Sequence, residues 1–107
     1  MTGPIGIVLA ATLLMSDATI SLWWQPDPQA IAYRVYVCQH PEATCFGIDF
    51  ARFWVLLGQF AEPRVSGPRP DRPTWVAIAD VYPGLEIIRI GETVYIRPGP
   101  RYIRRPS

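Results

Sequence analysis

The stretch 18–37, ATISLWWQPDPQAIAYRVYV, constrains the fold more than any other part of the chain. Apolar side chains occupy every second position from 18 to 24, and the alternation returns from 33 to 37. A period of two over runs of this length predicts two half-buried strands. Pro26-Asp27-Pro28 separates them, and proline cannot continue a strand because it lacks the amide hydrogen that the sheet needs.

The rest of the composition fits short strands joined by turns. Half of the 107 residues are apolar, which suffices for one hydrophobic core, and this length is typical of one domain. Twelve prolines and eight glycines interrupt the chain, and no stretch has a long helical period. We therefore expect a single all-β domain.

The two predicted strands resemble a known family. The pattern T-I-S-L-W-W-Q-P-D-P, followed by A-Y-R-V-Y-V, is similar to strands B and C of a fibronectin type III domain. Trp24 stands where that family has its core tryptophan, and residues 33–36 match the motif that opens the next strand. Residues 74–81, TWVAIADV, look like strand F, and residues 93–97, TVYIR, look like strand G.

This resemblance implies a fibronectin type III or immunoglobulin-like β-sandwich of about seven strands. The sandwich would span residues 1–97, and residues 98–107 would form an extended tail rich in proline and arginine. Domains of this family are mostly binding and spacer modules without catalysis, so the resemblance alone does not fix a function. Residues 48–60 depart from the family pattern, and a strand over 52–57 and a helical turn over 49–53 both remain open.

The N-terminal stretch is apolar from residue 5 to residue 14. It is shorter than the roughly 20 residues that a membrane-spanning helix needs, so no membrane span is predicted. A signal peptide is the alternative, but the stretch has no basic residue before its apolar part. We interpret residues 5–14 as a first strand, broken around Ala10-Ala11.

Cys38 and Cys45 bracket a short loop, CQHPEATC. They are either two thiols or a disulfide that closes this loop, and the sequence leaves both open. With His40 they provide only three candidate ligands, without the paired short spacing of a zinc site. No metal and no cofactor is predicted.

The sequence predicts no enzyme. His40, the single histidine, lies too close in sequence to both cysteines for a scaffold to hold it as a base for either of them. The carboxylates are scattered, mostly at turns, and no glycine-rich phosphate loop leads from a strand into a helix.

The predicted partner interface follows from the strand pattern and the tail. If the family register holds, Trp75, Ala77 and Ala79 point inward, whereas Val76 and Ile78 point outward on the sheet that carries Tyr36. Unpaired aromatic rings and the tail would add further contacts. The predicted interface residues are Trp23, Tyr36, Trp54, Val76, Ile78, Arg101, Tyr102, Ile103, Arg104 and Arg105.

We therefore expect a non-catalytic structural protein, a subunit of a larger assembly that includes copies of itself. Stand-alone domains of this size resemble bacteriophage virion proteins, such as capsid decoration, tail or connector subunits, which places the chain in a virion. The formal charge of +1 gives no field that would attract nucleic acid. The alternative is a secreted or cell-surface adhesion or carbohydrate-binding module, with the Cys38–Cys45 bond formed and Trp23 stacked on sugar rings.

Overall fold

The computed structural model describes residues 5–7, 11–46, 50–90 and 93–98. Within these ranges the chain forms nine strands and two short helices. In chain order they are β1 Ile5–Ile7, β2 Ala11–Met15, β3 Thr19–Trp24, β4 Ala32–Cys38, α1 Glu42–Cys45, α2 Phe50–Phe53, β5 Val55–Phe60, β6 Arg64–Pro68, β7 Thr74–Tyr82, β8 Leu85–Ile90 and β9 Thr93–Pro98.

The strands form two sheets, and the predicted all-β sandwich is confirmed. The small sheet is antiparallel, in the order β2-β3-β6. The large sheet has the order β5-β4-β7-β8-β9, also antiparallel. β1 adds a parallel pairing to residues 74–76 of β7, beyond the segment that pairs with β8. β1 and β2 belong to different sheets. The break that the sequence predicts around Ala10-Ala11 falls in part on residues 8–10, which lie outside the described residues.

The core between the sheets is built from the strands that the sequence singled out. Leu22 and Trp24 of β3 pack against Tyr33 and Val35 of β4, and the rings of Trp24 and Tyr33 meet edge to face, with centroids 5.7 Å apart. Trp24 is buried, so its predicted place in the core is confirmed.

A second apolar layer covers the opposite face of the large sheet. Tyr36 and Cys38 alternate with the core residues of β4 and therefore point away from the small sheet. They are buried with Cys45 and Trp54, which belong to the segment carrying α1 and α2, and with Ile88 of β8. The central strands of the large sheet, β4 and β7, are thus covered on both faces.

Two stretches that the sequence left open or placed in a loop have regular structure. Residues 50–53 are helical, and the strand that follows begins only at Val55. The four prolines and three arginines of residues 61–73 predict a loop. This prediction is wrong in the middle of the stretch, because β6 forms there and pairs with β3. Its single proline, Pro68, ends the strand at a sheet edge, where a missing amide hydrogen costs nothing.

Candidate interaction site at a strand edge

The predicted outward residues of β7 lie inside the sandwich. Val76 and Ile78 are 4% and 1% exposed and pack in the core between the sheets. The prediction that they point outward is wrong, because the register that we took from the family resemblance is offset by one residue. Ala77 and Ala79, predicted to point inward, lie beneath the second apolar layer.

Tyr36 is also buried, as part of a polar network on the second layer. Its hydroxyl donates to the Glu86 carboxylate at 2.9 Å, and the Arg97 guanidinium donates to the same carboxylate at 2.9 Å. The guanidinium of Arg34 lies 3.5 Å from Glu86. Burial, together with the hydrogen bond to Glu86, raises the pKa of Tyr36.

This network is a structural connection between strands β4, β8 and β9. Glu86 is only 1% exposed, and a buried carboxylate is tolerated only where donors and positive charges surround it. Sequence reasoning missed the network, although the hairpin pairing that places Glu86 opposite Arg97 was a usable signal. The network contradicts the expectation that Tyr36 faces a partner, because its hydroxyl is engaged within the domain.

Trp54 holds the α1–α2 segment onto the large sheet and is likewise unavailable at the surface. It is 8% exposed, and its indole nitrogen donates to the Cys45 carbonyl at 2.7 Å. Cys45 is bonded to Cys38 in a disulfide. Of the two open possibilities for the cysteines, the structure contains the bond.

Trp23 is the one predicted interface residue that lies exposed among those whose side chains the structure describes. It is 42% exposed, on the opposite side of β3 from Trp24. Neither Tyr36 nor Trp54 can join it in a sugar-stacking platform, because both are buried. The tail residues Arg101, Tyr102, Ile103, Arg104 and Arg105 lie outside the described residues, and Pro98, assigned to the tail, ends β9.

Among the residues whose side chains the structure describes, the longest run of consecutive exposed large apolar residues is on β5, which the sequence did not single out as an interface. Val55, Leu56 and Leu57 are 62%, 44% and 58% exposed. β5 is an edge strand that pairs with β4 on one side only. Its other side therefore presents unpaired backbone amides and carbonyls beside exposed apolar side chains. We call Val55–Phe60 the β5 edge.

The β5 edge lacks two of the devices that usually block pairing at a sheet edge, charged residues and prolines. Charged residues and prolines protect such edges, and β6 and β9 carry both. β5 carries neither. β2 also lacks them, but only its Leu14 and Met15 are exposed large apolar residues. A shift in the pairing with β4 marks a bulge in β5, which bends the strand. A bulge is a third device of this kind, and β5 carries it.

An apolar cleft of about 410 Å³ opens beside the β5 edge, between the two sheets. Leu57 and Phe60 of β5 line it, together with Val65 of β6 and Val37 of β4. The ring of Phe60 folds over Gly58, where an added Cβ would lie 2.9 Å from the ring. A glycine at this position thus lets an aromatic ring form part of the cleft wall.

Neither a metal centre nor a membrane-spanning helix is found in the part of the chain that the structure describes. No three His, Cys, Asp or Glu side chains come together there as metal ligands. No helix there has the length and apolar character to cross a membrane.

Comparison with known proteins gives no match: no family model, no curated protein and no solved structure matches the chain. The resemblance of residues 18–37 to fibronectin type III strands therefore stays a prediction. What the geometry provides is an apolar, uncharged strand edge beside an apolar cleft.

Proposed function

We propose that this chain is a non-catalytic structural protein that joins a larger assembly through the β5 edge. The observation that supports the proposal is the exposure of Val55, Leu56 and Leu57, which are consecutive on an edge strand without charge or proline. An extended segment of a partner can add to such an edge through backbone hydrogen bonds, and its side chains then cover the apolar residues.

The ionisable groups inside the domain support a structural role. Glu86 of β8 has hydrogen bonds or ion pairs to Tyr36 and Arg34 of β4 and to Arg97 of β9, so the network joins three strands. Groups that satisfy one another in this way stabilise strand packing and leave no free base or acid at that point.

We place the assembly in a bacteriophage virion, as a capsid decoration, tail or connector subunit. This setting rests on the resemblance of residues 18–37 to a fibronectin type III domain and on analogy with stand-alone virion domains. Analogy between folds suggests only the type of assembly, whereas the β5 edge is the surface through which we propose that the chain attaches to it.

A secreted or cell-surface adhesion module is the second candidate, and the Cys38–Cys45 disulfide favours it. Disulfides persist in oxidising compartments and are rare in the cytosol. The carbohydrate-binding form of this candidate has less support, because Trp23 is exposed without Tyr36 or Trp54 beside it.

Sedimentation of the chain from its native source, followed by intact-mass measurement of the same fraction, tests the proposal. We expect the chain to travel with a particle far larger than its own 12.1 kDa. A tagged Leu57→Lys variant should leave the particle fraction, whereas Ile96→Lys should stay in it. Ile96 is the matched control because it is an exposed apolar residue on β9, the other edge of the same sheet.

A chain that sediments as a small species, without its first 15 or so residues, would overturn the assembly proposal in favour of the secreted module. Equal loss of both variants from the particle would also contradict it, since attachment would then not depend on the β5 edge.

A further inference from the structure

The β5 edge has the chemistry of a surface that matches itself. Antiparallel pairing of two identical strands places residue i of one copy opposite residue j of the other, and j opposite i, about a two-fold axis. We propose that the β5 edge pairs antiparallel with the β5 edge of a second copy of this chain. The inference rests on the proposed function and names the partner in it.

The absence of charge on the β5 edge favours a second copy of the chain as its partner. Two copies approach along Val55–Phe60, which has no ionisable side chain on either copy, so the pairing buries no unpaired charge. The formal charge of +1 for the whole chain gives little repulsion between copies. A second copy supplies an uncharged, apolar strand of matching length.

The exposed apolar area of the β5 edge determines how strong the pairing of two copies should be. From their exposed fractions, Val55, Leu56 and Leu57 present about 300 Å² per copy, which is at the lower end of the range for the largest apolar patch on a typical monomer. Two copies together bring about 600 Å² from these side chains, below the roughly 1,200 Å² of total surface in a stable interface. The pairing is therefore weak, and its occupancy depends on concentration.

The cleft adds to what the second copy covers. Leu57 both belongs to the exposed edge and lines the cleft, so a strand laid beside it covers the mouth of the cleft as well. The same pairing joins the two large sheets into one continuous sheet, because β5 is the end strand of each. Because each copy has one β5 edge, this two-fold contact closes with two copies.

Sedimentation equilibrium of the purified full-length chain tests the inference over concentrations from about 10 µM to about 1 mM. We expect the average mass to rise from 12.1 kDa toward twice that value. Leu57→Lys should weaken the association about tenfold or more, because the added ammonium group loses water at the pairing edge. Ile96→Lys, on the opposite edge, should associate as the unchanged chain does.

Hydrogen exchange measured at about 10 µM and at about 1 mM protein shows which strand forms the contact between copies. We expect the amides of residues 55–60 to exchange more slowly at high concentration, and those of β9 to be unchanged. Circular dichroism and thermal unfolding of Leu57→Lys check that the variant is folded, and Leu57→Gln gives a second, uncharged variant with a smaller expected effect.

A single mass of 12.1 kDa at every concentration would overturn the second-copy inference. The proposed function would survive that result if the chain still sedimented with its native particle in a Leu57-dependent manner, which would indicate a foreign strand. Association that Ile96→Lys abolishes and Leu57→Lys leaves intact would move the contact to β9 and overturn the inference as well.

Discussion

Asp27 and Tyr82 connect the turn after β3 to the end of β7. The Tyr82 hydroxyl donates a hydrogen bond to the Asp27 carboxylate, which also accepts from the backbone N–H of Gln29 at 2.9 Å. The hydrogen bond to Asp27 is the largest cause that raises the pKa of Tyr82 to about 12, and it lowers the pKa of Asp27. The turn role of Asp27 was predicted from its place between two prolines. Its partner was not, because Tyr82 is 55 residues away in the chain.

Asp27→Asn should return the pKa of Tyr82 from about 12 toward the ordinary value of 10. The amide cannot stabilise the protonated phenol as the carboxylate does. Ultraviolet absorbance during alkaline titration measures the change, and Asp71→Asn, which alters another exposed carboxylate, is the control. An unchanged titration would contradict the assignment of this hydrogen bond.

The raised pKa of Tyr82 also makes the stability of the domain depend on pH. Because the pKa of Tyr82 is higher in the folded state, its contribution to the free energy of unfolding is complete below pH 10 and is lost as pH rises through about 12. The pKa of Asp27 shifts the other way, so its contribution is present at neutral pH and is lost as pH falls through its lowered folded value.

The segment with α1 and α2 shows why short elements are hard to predict. Residues 48–60 gave no clear period, and a strand and a helical turn remained open. Contacts with distant residues decide between them: Trp54 donates to the Cys45 carbonyl and packs in the second layer on the large sheet. The cysteine spacing allowed a disulfide, but only the fold brings the two Cα atoms to 6.0 Å.

Replacing both Cys38 and Cys45 with alanine should lower the free energy of unfolding by about 2–3 kcal/mol, from the loop-closure entropy of a ring of this length. Chemical denaturation of the oxidised protein and of the double variant measures the difference. A reducing agent should destabilise the unchanged protein by a similar amount.

The reducing agent should have no effect on the double variant, which serves as the control. Tryptophan fluorescence should shift to longer wavelength on reduction if the segment that carries Trp54 loosens. Equal stability with and without the bond would mean that Trp54 and its neighbours hold the segment without help from the disulfide.

At the scale of the whole molecule, the sequence predicted the class of fold but not which face of a strand is inward. Alternation in β3 and β4 was readable because Trp24 and Val35 are deeply buried, whereas Trp23 is exposed. In β7 both alternating sets are apolar and both are buried, so a period of two cannot say which set faces the small sheet. The β5 edge was missed for a related reason, since its apolar run also suits a buried strand.

Substitution of the two adjacent tryptophans of β3 tests whether the two sheets pack against each other through the Trp24 face of this strand. Trp24→Ala should destabilise the domain by about 3–5 kcal/mol, because it leaves a cavity where the two sheets meet. Trp23→Ala should change stability by less than about 1 kcal/mol, since its side chain is 42% exposed on the outer side of the strand. Urea unfolding followed by circular dichroism measures both.

Trp24→Phe separates the loss of volume from the loss of the indole nitrogen. Among the described residues, the indole nitrogen of Trp24 is buried without a hydrogen-bond partner, so phenylalanine removes an unsatisfied donor and keeps most of the ring. We expect Trp24→Phe to be clearly more stable than Trp24→Ala. If Trp23→Ala instead proves as damaging as Trp24→Ala, the small sheet cannot be packed on the large one through the Trp24 face, and the sandwich described here would be wrong.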